Sequence, residues 1–178
     1  NQWRHYSRAY IYLAALATPL VLSVHSVVSW DFAMSIIPGW HGTIFAPYFV
    51  AGAIYSGVGM VLTLLIPLRK TLKLEHMITE YHFDNLAKLT LLTGTILFYA
   101  YGMEYFIGWY SANTFEQTTF WRRAFGPGWW GGWTMIICNA FVSQLLWFRK
   151  IRTNLTALFV ISIFINIGMW FERFVIVV

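Results

Sequence analysis

Residues 10–30 read YIYLAALATPLVLSVHSVVSW. The run holds no Asp, Glu, Lys or Arg, and its one imidazole, His25, lies toward its C-terminal end. At about 1.5 Å per residue, roughly 20 helical residues cross the hydrocarbon core of a bilayer, so the stretch reads as a membrane span. Ser29 follows His25 by one helical turn. Asp31 stands just past the span, and His41 follows after Pro38-Gly39-Trp40. Ionisable groups inside or beside a span are costly to bury and mark functional sites by default.

The composition agrees with a membrane setting. The chain of 178 residues is 58% hydrophobic, 20% aromatic and only 11% charged. A soluble domain of that size has too little interior to hide so much apolar surface. Further predominantly apolar runs predict spans over about 43–68, 86–110, 129–148 and 154–178, each near the length needed to cross. The expected fold is therefore all-α: a polytopic transmembrane helix bundle in one domain, with about five spans and membrane lipids around it. No initiator Met begins the chain, and it stops on Val175-Ile176-Val177-Val178 without a polar flank. The expectation is an interior piece of a longer protein.

Charge placement predicts orientation. Arg4 and Arg8, then Arg69, Lys70 and Lys73, then Arg149, Lys150 and Arg152 fall on one side of the expected topology, against Arg122 and Arg123 on the other. The richer side is expected to be cytoplasmic, so the first residues start inside. Trp30, Trp40, Trp109, Trp121, Trp129, Trp130 and Trp133 collect at the opposite ends, as an interfacial belt does. These span-end clusters account for the net charge of +5, so no nucleic-acid partner is expected. The single cysteine, Cys138, excludes an internal disulfide and an all-Cys cluster.

Depth then gathers the buried polar groups. His25 on span one, Glu104 on span three, and Glu172 and Arg173 on span five all fall toward the expected outer side, where Asp31 and His41 cap spans one and two. Thr90, Gly94, Leu97, Tyr101, Glu104 and Gly108 share one helical face by 3,4 spacing, with Tyr101 just below Glu104. Ser162, Asn166 and Arg173 share another face; Asn139 and Ser143 are one turn apart and read as helix packing. Adjacent helical residues point about 100° apart, so Glu172 and Arg173 are expected to meet partners on other spans.

The chemistry that suits such a cluster is proton handling. A neutral imidazole can accept a hydrogen bond from a quinol hydroxyl, take its proton and pass it to a carboxylate. In that reading His25 is the acceptor and Asp31 the relay, while His41, Tyr101, Glu104, Glu172 and Arg173 line the quinol pocket or proton path. The bland alternatives are a structural histidine, an interfacial Asp and a snorkelling Arg173. Only one imidazole lies within a span, so a bis-histidine haem is not expected. Glu75, His76, Glu80, His82 and Asp84 read as a solvated loop or a short surface helix rather than a metal site. The same buried charges would also serve a transporter or proton channel without redox function, or a structural anchor.

His25-Ser26-Val27-Val28-Ser29-Trp30 resembles the His-Thr/Ser-Val segment of the NrfD/PsrC family of membrane quinone-reactive subunits. Residues 38–57, PGWHGTIFAPYFVAGAIYSG, and residues 166–174, NIGMWFERF, are more similar to the ActC-type subunits of bacterial alternative complex III, with the ActF type as the nearby alternative. The resemblance implies a subunit of about ten helices in a bacterial inner membrane, of which this chain is a piece. It implies menaquinol or ubiquinol oxidation near the periplasmic side, with no haem or iron–sulfur cluster in this chain. The implied partners are an iron–sulfur subunit, a periplasmic multihaem cytochrome c subunit and a homologous NrfD-like membrane subunit. Proton conduction through the bundle is implied as well.

Overall fold

The computed structural model describes Gln2–Val177. Helix α1 spans Gln2–Ala33, α2 Phe45–Thr71, α3 Glu80–Tyr110 and α4 Thr114–Phe125. A broken helical segment follows: α5 Trp129–Ile136, a π-helical turn Ile137–Phe141, α6 Val142–Gln144 and a 3-10 turn Leu145–Trp147. The chain closes with α7 Arg149–Arg152 and α8 Leu155–Val177. Among the described residues four helices, α1, α2, α3 and α8, are each long and apolar enough to cross a membrane. The chain is an all-helical, multi-pass membrane protein.

Local sequence explains where the helices begin and end. Thr79 caps α3 through a reciprocal box with His82, which satisfies two otherwise unpaired N-terminal groups. That cap places Glu80, His82 and Asp84 in the first turns of α3. Asn113 caps α4 by accepting from the Phe115 N–H at 3.0 Å. Lys73, in the left-handed region at φ 51°, ends the basic turn after α2. Gly126-Pro127-Gly128 separates α4 from α5.

The expected span over 129–148 is helical but is not one α-helix. Within it a π turn interrupts the regular ladder, and the Val142 N–H reaches back five residues to the Ile137 carbonyl. The Asn139 carbonyl in that turn also accepts from side chains. The Ser143 hydroxyl donates to that carbonyl at 2.8 Å and the Tyr55 hydroxyl at 3.2 Å. Phe148 then turns to extended backbone, and the chain reverses through α7.

The core lies between α2, α3, the broken segment and α8, where Tyr55, Leu62, Leu97, Leu146, Leu158 and Ile165 are fully buried. Close approach depends on small residues. A Cβ at Gly59 would meet Ile165 Cγ2 at 2.7 Å, and one at Gly94 would meet Ser143 Oγ at 2.7 Å. Helix α1 packs differently. It meets α2 near the tryptophan-rich end, through Ser29, which is fully buried, and half-buried Phe32 and Ala33. Most of its length is exposed apolar surface, which suits contact with lipid.

Two ends follow. At the basic end, Arg152 on α7 meets Asp84 on α3 at 2.5 Å, and Arg69 donates to the Ile78 carbonyl at 2.7 Å. At the tryptophan end, the Trp40 indole donates to the Ile176 carbonyl at 2.9 Å and ties the α1–α2 loop to α8.

Candidate functional site

A cavity of about 300 Å³ opens at the tryptophan end, between the α1–α2 loop, the ends of α2 and α3, and α4. Its apolar walls come from Trp40, Ile44, Phe45, Ile107 and Phe120. Its polar lining includes His41, Tyr48, Glu104 and Glu116. An apolar hollow with a small number of convergent polar groups is the usual form of a small-molecule site.

Helix α4 forms one wall and is fastened at several points. Phe120 seats against Gly108 so closely that a Cβ there would overlap its ring. Gly39, at φ 85°, turns its N–H toward Glu116 Oε2 at 3.1 Å. The positive φ favours a glycine there, and a Cβ would sit 2.9 Å from Arg123 Nη2, so the guanidinium would have to shift. Arg123 reaches across to Glu104 on α3 at 3.3 Å.

Below the cavity lies a sealed polar cluster. Tyr48 on α2 lines the cavity, and its ring meets Tyr101 edge-on at 5.7 Å between centroids. The Tyr101 hydroxyl donates to Glu172 Oε2, and Asn139 Nδ2 donates to Tyr101 Oη at 3.1 Å and to Glu172 Oε2 at 3.2 Å. Glu172 is 1% exposed. A carboxyl group so deep requires such donors, since an unpaired buried one costs several kcal/mol (about 3–5). Arg173 approaches the other oxygen at 4.0 Å, but its side chain is 41% exposed and points elsewhere.

Where it points bears on His25. The Arg173 guanidinium stands 4.5 Å from the Phe49 ring centroid, and the His25 ring lies 6.5 Å from the same ring. Phe49 thus joins α1 and α8 across α2. His25 is half-buried, and its Nδ1 is 2.8 Å from the Val21 carbonyl of its own helix. Bonding to a carbonyl requires the proton on Nδ1, which leaves Nε2 as an acceptor.

The structure therefore sorts the residues singled out in the sequence. Tyr101 and Glu172 bond directly. Glu104 and His41 line one cavity, with His41 held by Nδ1 on the Ser35 carbonyl at 2.9 Å. His25 and Arg173 share Phe49 and do not line that cavity. Asp31 is exposed and makes no side-chain hydrogen bond among the described residues. Six residues beyond His25, it points about 120° away on the same helix, so the expected His25–Asp31 relay has no direct geometry. Sequence reasoning missed Tyr48, Glu116 and Arg123 and assigned Asn139 to packing. For Asn139 the signal was present, an amide within an apolar run. Glu116 and Arg123 carried none, because a loop charge is ordinarily a solvated one.

The family profile of polysulphide reductase NrfD matches residues 1–178. The chain belongs to the NrfD family. Members of that family are membrane subunits of quinone-interacting oxidoreductase complexes. This NrfD-family chain is also similar to a Halobacterium salinarum protein provisionally named as a membrane component of dimethyl sulfoxide reductase. The two are 39% identical over 54 residues, a stretch that covers 30% of this chain and 12% of that protein.

Proposed function

We propose that this NrfD-family chain oxidises quinol at the tryptophan-end cavity, as the membrane subunit of an alternative complex III type assembly. The substrate is menaquinol or ubiquinol. Its oxidation releases two electrons and two protons. The electrons pass to an iron–sulfur partner subunit and onward to a multihaem cytochrome c subunit, and the quinone leaves to the bilayer. Membership of the NrfD family supports the redox setting. The ActC-like stretches support the narrower type, and the basic end is assigned to the cytoplasm by its charge.

One observation carries the reading. The cavity presents Glu104, His41 and Tyr48 to one occupant, directly above the Glu172–Tyr101–Asn139 cluster. Glu104 is the first proton acceptor, held by Arg123 in a geometry that can face a quinol hydroxyl. His41 faces the same space as the second. His25 and Arg173 support the far wall through Phe49. The test is turnover of the intact complex with E104Q. The amide keeps the shape but cannot take a proton, so quinol oxidation should fall on the order of a hundredfold while assembly is retained. Wild-type turnover in an assembled E104Q complex would remove the cavity from the mechanism.

A second reading, proton conduction without redox chemistry, is favoured by polar groups farther along the bundle. Asn166 donates to Thr63 at 2.8 Å, and Thr63 donates to Ser162 at 2.9 Å, between the sealed cluster and the basic end. Proton flux through liposomes that contain the chain and no quinol, combined with no quinone retained in the cavity, would favour it.

A further inference from the structure

Asn139 is a polar residue held deep in the bundle, and it does not line the tryptophan-end cavity. It is fully buried. Its Nδ2 serves Tyr101 and Glu172. Its Oδ1 is buried with no hydrogen-bond partner. On that side stands Gly168 of α8, where any Cβ would overlap Oδ1. The π turn fixes the residue from behind, since its carbonyl is held by Tyr55 and Ser143.

A buried acceptor left empty is uncommon and calls for an explanation. The explanation lies in what surrounds Glu172. Tyr101 donates to its Oε2, and so does Asn139. Tyr48 faces it from α2, Glu104 lies beyond on α3, and Arg173 stands at 4.0 Å from its other oxygen. Two donors thus address one carboxyl oxygen, which suits an ionised carboxylate. A protonated carboxyl group is itself a donor and needs an acceptor. Among the described residues of the cluster, Asn139 Oδ1 is a buried acceptor without a partner, turned toward Gly168.

We propose that Asn139 is a two-position amide switch, a positioning residue that turns over when Glu172 gains or loses a proton. With Glu172 ionised, Nδ2 faces the carboxylate. When a proton leaving the cavity forms an O–H bond on Glu172, the amide rotates about its terminal torsion. Oδ1 then accepts from that O–H, and Nδ2 moves to the Gly168 side. Loss of the proton reverses the turn. Gly168 supplies the room for both positions, and the π turn holds the backbone still while the side chain rotates. The inference rests on the proposed proton route only for the source of the proton; the switch itself is a property of the Glu172 site.

The test uses the intact complex and two readouts. The carbonyl stretch of protonated Glu172 is followed by infrared difference spectroscopy during a pH jump without quinol, with the band assigned by its loss in E172Q. The pH profile of turnover is measured with a short-chain naphthoquinol and a short-chain benzoquinol. In N139L the carbonyl band should move to the position of a carboxyl group with no donor–acceptor partner. Turnover should fall on the order of tenfold with KM unchanged, and the pH profile should be displaced. N139D has the size of the native residue and guards against failure to assemble. It cannot offer a donor and an acceptor together unless it is itself protonated, so it too should displace the profile. A Glu172 band and pH profile identical to wild type in either assembled variant would overturn the switch. If that occurs while E104Q still blocks turnover, the quinol reading stands without the switch. If E104Q leaves turnover intact but the band moves in N139L, the switch stands without the quinol reading.

Discussion

The two ends of the bundle both carry carboxylates, and they treat them in opposite ways. At the basic end Asp84 is paired twice, with Lys88 at 2.5 Å and Arg152 at 2.5 Å, and Lys88 is half exposed. At the tryptophan end Glu172 is sealed among hydroxyl and amide donors, and Glu104 borders a cavity with one guanidinium at 3.3 Å. Water screens the first set and makes its pairs weak; exclusion of water makes the second set costly to build. The position of a charge relative to the membrane interface, rather than its identity, separates an anchoring group from a candidate chemical one.

The sharpest way to break the comparison is E172Q. Glutamine keeps the acceptor oxygen that Tyr101 and Asn139 address, so the bundle should assemble. It cannot carry a proton, and quinol turnover of the complex should fall on the order of a hundredfold. An assembled E172Q complex with native turnover would reduce the sealed carboxyl to a packing element, and the contrast between the ends would vanish. A smaller effect is expected from G108V. The new side chain occupies the place of the Phe120 ring, so α4 must lift from α3. Overpacking of this kind costs about 1–3 kcal/mol. Thermal unfolding should begin earlier, and quinone retained on purification should drop. A lowered melting temperature with unchanged quinone content and turnover would show that α4 does not wall the site.

How far the sequence foretold this contrast follows from what each residue depends on. The long helices were legible because apolar length is a local property, and so was the shared depth of Glu104 and Glu172, because depth along a helix can be counted. The bond between Tyr101 and Glu172 was not, because it depends on how the two helices are rotated. The π turn was not. Its five residues, Ile137–Phe141, look like any apolar helix, and their geometry depends on Tyr55, Gly94 and Gly168 from three other helices. The same holds for Arg123, whose place over Gly39 depends on a loop of positive φ. His25 was read at the right depth, but rotation decides its neighbours. That rotation turns it to Phe49 rather than into the cavity and leaves Asp31 facing away.

The least effect is expected at the basic end, and it sharpens the comparison by being small. D84N removes two ion pairs at one stroke. Lys88 is 51% exposed and loses little, because an exposed pair contributes about 0–1 kcal/mol. Arg152 is 16% exposed, yet it sits in α7 at the end of the bundle, where its long side chain can turn to lipid phosphate instead. The asparagine oxygen also keeps one acceptor for it. Assembly and quinol turnover of D84N should therefore match wild type within about twofold, with a stability loss near the upper end of that range. A collapse of turnover in an assembled D84N complex would mean that protons or structural changes reach the basic end during the reaction. The division of labour between the two ends would then have to be redrawn as one continuous path.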